Sequence, residues 1–394
     1  MEWIYGLETV PTTTTITTTA AVTDEDNNES SCVIGAGFKG STYLGPNNTT
    51  NNDRKNNYDH SHIAMTYVAL CTLQALGDDL SRIDKHAILS TLRGLQKSNG
   101  SFVALSPTTT AAENDDNKGD VEAEDDCDLR FMYAAIAVWY ILTSNNEENE
   151  DHNHDHDYDH NHDEQYINIE TATQYILSCK SYEGALGLTP GREGHGGSTF
   201  CGIASLFLLG VLDDVMEREE LRGWKEELIY WCVMRQKSLM KKIVNNDDDN
   251  GYYVQEEEEE EQPAGMVGRP NKKEDTCYSY WIGGTLHLLS SSHLIDGWAL
   301  REYVLKCQSP YGGFGKVVGA MPDLLHSFYS MAWLTLSSED GCCDDEEEED
   351  DDENKGNDEN NEVYESEVRI QVRESISKLS KLDCALGMCA KRTR

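Results

Sequence analysis

Three times along the chain an apolar run closes on a polar residue and is followed, at equal distance, by a glycine-led turn. Leu95-Gln96 leads to Gly100-Ser101-Phe102, Cys179-Lys180 to Gly184-Ala185-Leu186, and Cys307-Gln308 to Gly312-Gly313-Phe314. Recurrence of this kind marks a unit that cannot bury its apolar face alone and must stack on its neighbours. The unit is helical. Ile63 to Leu76 is apolar with helical recurrence, Ile83 to Leu95 follows Ser81 as its cap, and Leu129 to Leu142 and Cys201 to Leu212 are long and apolar. Few alternating patterns compete with them, so the pattern predicts an all-α, degenerate array of helix pairs.

The charge sits elsewhere. The net charge of −40 argues against nucleic-acid or anionic-membrane binding by the whole surface. Four tracts, residues 113–128, 147–164, 247–261 and 339–362, hold 42 of the 72 acids and only Lys118 and Lys355 as bases, so the rest of the chain is neutral. Such runs cannot bury enough apolar area to offset their ordering entropy, and they repel themselves. They read as disordered loops inserted into one domain, and the histidine run from His152 to His162 reads as part of one of them. Without them 321 residues remain, acceptable for one closed helical barrel. Twelve cysteines without regular spacing indicate thiols in a reducing compartment, and no stretch approaches eighteen uncharged apolar residues. A cytoplasmic location is expected, without stable membrane insertion.

Chemistry concentrates late in the chain. Asp275-Thr276-Cys277-Tyr278-Ser279 and Pro322-Asp323-Leu324-Leu325-His326 together offer one carboxylate, one thiolate and one imidazole. Three such ligands are what a catalytic zinc needs while a fourth position stays open. Taken alone, a Cys with a distant His more often describes a buried thiol and a satisfied imidazole. The surroundings favour the metal: Gly268-Arg269-Pro270-Asn271-Lys272 stands just upstream, Tyr278 and Trp281 lie at and behind the site, and Glu193-Gly194-His195-Gly196-Gly197 adds an imidazole beside backbone that a ligand can approach. Arg, Lys, His and Tyr are donors suited to a diphosphate. Zinc beside a diphosphate cradle points to a thiolate attacking an activated carbon.

These segments resemble the β subunits of protein prenyltransferases, the type I geranylgeranyl members above all. The likeness runs from Glu2-Trp3-Ile4-Tyr5 through His62-Ile63-Ala64-Met65-Thr66-Tyr67, Gly77-Asp78-Asp79-Leu80-Ser81-Arg82, Asp128-Leu129-Arg130-Phe131 and the His195 and Arg269 segments to the neighbourhood of Trp333. It implies an (α/α)6 toroid of inner and outer helices around a funnel. It also implies a zinc ion on Asp275, Cys277 and His326, and a lipid diphosphate head against His195, Arg269, Lys272 and Tyr278. Arg130 matches an arginine near the C-terminal end of the protein substrate, although a helix-capping or ion-paired arginine is an equal reading. Trp281, Tyr329 and Phe200 are candidates for the bed of the lipid tail, and are also ordinary core fillers. Lys316, in Gly312-Gly313-Phe314-Gly315-Lys316, resembles the lysine that stands in for magnesium in the type I enzymes, so zinc dependence without magnesium dependence is expected.

The implied partners are a prenyltransferase α subunit, geranylgeranyl diphosphate, and proteins with a C-terminal CaaX motif such as small GTPases. A farnesyl or Rab-type β subunit is the second reading, against which Lys316 and Pro270-Asn271-Lys272 argue. A third is a non-catalytic chain that sequesters α subunit or lipid. Family members begin well before the segment that matches Glu2-Trp3-Ile4-Tyr5, so the first barrel helices, with a residue that helps set lipid length, are expected to be absent.

Overall fold

In a computed structural model the chain is described over residues 1–9, 12–13, 33–40, 61–104, 127–144, 166–237, 264–339 and 382–389. Apart from Cys127, Asp128 and Glu339, the acidic tracts lie outside these residues, as does the histidine run, and so does the expectation that they are loops. Five helices follow one another side by side: α2 (Ile63–Ala75), α4 (Leu129–Thr143), α6 (Gly196–Leu208), α9 (Thr276–Leu288) and α11 (Leu324–Glu339). Outside them stand α3 (Lys85–Leu95), α5 (Ile169–Ser178), α8 (Trp224–Val233) and α10 (Gly297–Lys306). Short α1 (Glu2–Tyr5) and α7 (Leu212–Glu217) complete the α-helices of the described residues. Three two-stranded ribbons pair β1 (Glu8–Thr9) with β4 (Gly37–Phe38), β2 (Thr12–Thr13) with β3 (Val33–Ile34), and β5 (Leu382–Asp383) with β6 (Met388–Cys389), all antiparallel. The three middle helices α4, α6 and α9 are buried almost all round, which is why α4 and α6 read as apolar runs without a polar stripe, whereas α2 leaves Met65 and Val68 exposed and α11 leaves Leu324, Leu325, Phe328 and Met331 exposed.

Two helix starts differ from the sequence expectation. α3 is capped by Asp84, whose carboxylate accepts from the Ala87 amide at 3.0 Å, and not by Ser81, whose own amide donates to Asp79. A carboxylate at this position satisfies an orphan amide of the first turn, and buried Ile83 and Ile88 occupy the positions of a hydrophobic staple around it. The inner helix expected from Cys201 begins at Gly196, ends at Leu208, and restarts as α7 beyond Gly210 (φ 72°). Gly196 and Gly197 suggest a loop by propensity, yet a Cβ on Gly197 would lie 2.4 Å from the Trp281 ring. Close approach of α6 to α9 requires them, and packing overrides propensity. Asp128, counted with the first acidic tract, belongs to the fold as the cap of α4.

The repeated turns are structural equivalents. Gln96 bridges Phe102, Lys180 bridges Leu186, Gln308 bridges Phe314, and a fourth pair, Gln236 with Met266, has the third acidic tract between its members. The polar residue has a second use at two of them. Gln96 donates to the Asn168 carbonyl (3.0 Å) and accepts from the Asn168 amide (2.8 Å), while Gln236 does the same to Asp296 at 2.8 and 2.9 Å. Asn168 and Asp296 are the N-caps of α5 and α10, so each clip fastens the end of one outer helix to the start of the next.

At their N-termini all five inner helices carry a side-chain cap from the residue that enters the helix. The acceptors are His62, Asp128, His195, Asp275 and Asp323, each taking a first-turn amide at 2.8 to 3.1 Å. Each aspartate cap contributes about 1 kcal/mol. Five residues past the first four caps comes an aromatic layer of Tyr67, Tyr133, Phe200 and Tyr280. The turn between β5 and β6 is held against it: the Cys384, Ala385 and Leu386 carbonyls accept in succession from Tyr280 (2.7 Å), Tyr133 (2.8 Å) and Tyr67 (2.6 Å).

Candidate functional site

The start of α9 builds half of a metal-binding constellation. Asp275 caps the helix by accepting from the Cys277 amide at 3.0 Å, which fixes the carboxylate and the first-turn thiol on one side of the helix end. α11, packed beside α9, carries His326 in its own first turn. The loop between them is stapled back: the Thr276 amide donates to the Lys316 carbonyl (3.0 Å) and the Thr276 hydroxyl to the Gly315 carbonyl (2.9 Å). Ligand atoms of Asp275, Cys277 and His326 thus lie within 4.8 Å of one another, with His326 Nε2 3.2 Å from Asp275 Oδ1.

The donor set suits zinc. Burial pushes the Cys277 thiol far above the usual range, and the adjacent Asp275 carboxylate pushes it further. A divalent cation here would offset both effects and stabilise the thiolate. One sulfur, one imidazole nitrogen and one carboxylate are zinc ligands that leave a fourth position for a substrate, whereas magnesium prefers oxygen throughout.

A cationic face adjoins. His195 caps α6 through Nδ1, which accepts from the Gly197 amide, so the neutral ring carries its proton on Nε2, 3.0 Å from Tyr278 Oη. Burial, with the charge of Arg130, holds the His195 pKa below its ordinary value and keeps the ring neutral. Burial, with Cys277 and Asp275 nearby, pushes the Tyr278 phenol up to about 12, so it remains a donor. The imidazole proton fills a lone pair of Oη and leaves the phenolic proton free to meet an anion. The Gly196 amide donates to the Gly268 carbonyl (2.8 Å), tying the Arg269 loop to the start of α6, and any Cβ on Gly268 would strike the Tyr278 ring at 2.1 Å. Arg269 is paired with Glu193, and Lys272 is exposed on the same loop. Lys316 Nζ stands 3.3 Å from Asp275 Oδ2.

Arg130 lies beside this face, its guanidinium forked on Asp128 with contacts of 2.6 to 3.2 Å, so its ion-paired reading holds in the structure. The aromatic candidates form a continuous chain of ring contacts from Tyr278 through Trp281, Tyr329 and Tyr280 to Phe200, with centroids 5.0 to 5.7 Å apart. Three residues escaped sequence reasoning. Asp323 engages His326 Nδ1 at 2.6 Å, and its three-residue spacing at a helix start was the available signal. Glu193 holds Arg269, and His62 sets its ring against Phe131 beside Arg130. Neither has a local signal, because the partner comes from another part of the chain.

Residues 4–388 match the model of the prenyltransferase alpha-alpha toroid domain. The chain is 36% identical to the geranylgeranyl transferase type-1 subunit beta of Arabidopsis thaliana over 294 residues, which is 74% of this chain and 62% of that protein. It is 32% identical over 309 residues to the protein of the same name from Dictyostelium discoideum, covering 77% of this chain and 69% of the relative. Among solved structures, Candida albicans protein geranylgeranyltransferase-I complexed with GGPP superposes with a TM-score of 0.56 at 25% identity, over 79% of this chain and 73% of that one. The chain therefore spans less than two thirds of the Arabidopsis relative's length. With this array of helix pairs and these relatives, the chain belongs to the prenyltransferase α/α-toroid family, alongside the geranylgeranyl transferase type-1 β subunits.

Proposed function

We propose that the chain is the catalytic β subunit of a zinc-dependent protein geranylgeranyltransferase type I, working with an α subunit. It would transfer the lipid of geranylgeranyl diphosphate to the cysteine thiol of C-terminal CaaX motifs, including those of small GTPases. The observation that carries the reading is the convergence of Asp275, Cys277 and His326 within 4.8 Å, next to a face bearing His195, Tyr278, Arg269 and Lys316. Asp275, Cys277 and His326 would hold the zinc, which when bound supplies the positive charge that keeps a substrate thiol deprotonated at neutral pH.

The chain's own groups do the rest. Tyr278 Oη and the cations of Arg269 and Lys272 bind the diphosphate, and His195 orients Tyr278 from behind. Arg269 must exchange Glu193 for phosphate oxygens, a swap of one carboxylate partner for a more highly charged anion. The substrate sulfur forms its bond to C1 of the lipid as the C1–O bond breaks. The diphosphate leaves with the electron pair, and its growing charge is met by Lys316, a fixed cation that needs no magnesium. Arg130, Trp281, Phe200 and Tyr329 border the space for peptide and lipid tail. Burying about twenty carbons at ~0.8 kcal/mol each is worth at most roughly 16 kcal/mol before ordering costs, enough to retain the donor between turnovers.

The proposed place of action is the cytoplasm; among the described residues no helix is long and apolar enough to cross a membrane. The test is co-expression with a prenyltransferase α subunit, followed by metal analysis and transfer assays on a CaaX peptide ending in leucine, with fifteen- and twenty-carbon donors in parallel. One zinc per heterodimer and preference for the longer donor support the reading. Zinc with preference for the shorter donor makes the chain a farnesyl-type subunit, and an inactive, zinc-free heterodimer makes it a sequestering one.

A further inference from the structure

All five inner helices use the residue that enters the helix as a cap, so a purely structural role is the default for each. Asp323 does more than cap. Its Oδ1 accepts from the His326 amide at 2.9 Å, and its Oδ2 lies 2.6 Å from His326 Nδ1. A carboxylate oxygen only accepts, so this contact, shorter than the 3.2 Å between Nε2 and Asp275 Oδ1, places the proton of a neutral ring on Nδ1 and leaves the lone pair on Nε2. Nε2 is the atom aimed at Asp275, 3.2 Å away, inside the group of atoms that could share an ion. The His326 side chain is largely buried at 13% exposure, while that of Asp323 is 49% exposed, so the carboxylate holds the ring from the solvent side without entering the donor set.

We infer that Asp323 is a positioning residue: it selects the His326 tautomer and orientation that make Nε2 a metal ligand. The inference rests on the proposed zinc reading and deepens it. Outer carboxylates of this kind typically contribute 10- to 100-fold in metal affinity.

Two substitutions separate positioning from capping. Asp323→Asn keeps an oxygen for the His326 amide but turns an N–H donor toward Nδ1, which then needs its lone pair there and carries the proton on Nε2. Asp323→Ser keeps a capping hydroxyl and removes the second contact. The full chain, co-purified with an α subunit and stripped of metal, would be titrated with Co2+ and followed by thiolate charge-transfer and visible d–d absorption. Thermal midpoints of the metal-free forms would be measured alongside.

The expected result is a tetrahedral cobalt spectrum for wild type, a Kd raised about 10- to 100-fold for Asp323→Asn with altered d–d bands, and a smaller rise for Asp323→Ser. Metal-free midpoints should stay close to wild type. Cobalt affinity and spectrum unchanged in both variants would overturn the inference and leave Asp323 as a cap. If Asp323→Asn does not fold, Asp323→Ser decides by the same criterion. A wild-type protein that takes up no cobalt overturns the zinc reading itself and this inference with it, and that outcome is visible before any variant is made.

Discussion

The helix caps and the turn between β5 and β6 are both built from single polar side chains set against backbone, and they put that contact to opposite uses. At the caps, a carboxylate or imidazole accepts from a backbone amide with one atom and keeps a second atom outward. Asp275 turns Oδ2 to Lys316, His195 turns Nε2 to Tyr278, and Asp128 forks Arg130. At the turn, Tyr67, Tyr133 and Tyr280 donate their only hydroxyl proton to a backbone carbonyl. Two-atom side chains let one residue anchor structure and chemistry together, while one-atom side chains anchor only structure. Substitutions at the first region should therefore be read in activity and at the second in stability.

The largest effect expected is at Cys277. Cys277→Ala should abolish zinc retention and lower kcat/KM by several kcal/mol, roughly a thousand-fold, in a transfer assay with metal analysis in parallel, leaving the unfolding midpoint of the metal-free protein nearly unchanged. A drop in stability as large as the drop in activity would erase the contrast between the two regions. Next comes Lys316→Ala. Loss of a cation aimed at a leaving group costs about 10²- to 10³-fold in kcat, and added Mg2+ should restore part of it. A variant that keeps its rate without magnesium removes Lys316 from the chemistry.

At the turn, Tyr280→Phe removes the hydrogen bond to the Cys384 carbonyl and should cost about 1 kcal/mol of stability in urea titration, with kcat altered far less. The smallest effect is a pH trend. Burial is the first cause of the lowered pKa at both His62 and His195, and both accept a backbone amide through Nδ1 only when neutral. The folded state binds fewer protons than the unfolded one, so this contribution is present above the unfolded value of 6.5 and is lost as pH falls through the folded values below it. The urea midpoint should therefore decline between pH 7.5 and 5.5, and less so in His62→Asn, which caps without titrating.

The candidate metal site on one side of this contrast was largely legible in sequence. Asp275 and Cys277 announce themselves by spacing and residue type, and the glycine turns at 100, 184 and 312 by repetition. What stayed hidden depends on tertiary context. Gly196 and Gly197 read as loop because propensity knows nothing of the Trp281 ring above them, and α3 starts after Asp84 because burial of Ile83 and Ile88 around that cap sets the entry point, while the Ser81 amide is taken by Asp79. Glu193 bears no motif of its own, since it gains meaning only from the Arg269 side chain it meets, and Asp323 was signalled only by its three-residue spacing to His326.

The Gln236–Met266 bridge has one more consequence. Its two members meet as closely as Gln96 and Phe102 do, although thirty sequence positions separate them where six suffice elsewhere. Each doubling of a flexible connection costs only about 0.6 kcal/mol in closure entropy. The rung between Gln236 and Met266 thus works as a grafting point, where added sequence is tolerated cheaply while Gly268 and Arg269, two and three residues on, keep their register. A fluorescent reporter or affinity tag for this chain belongs there.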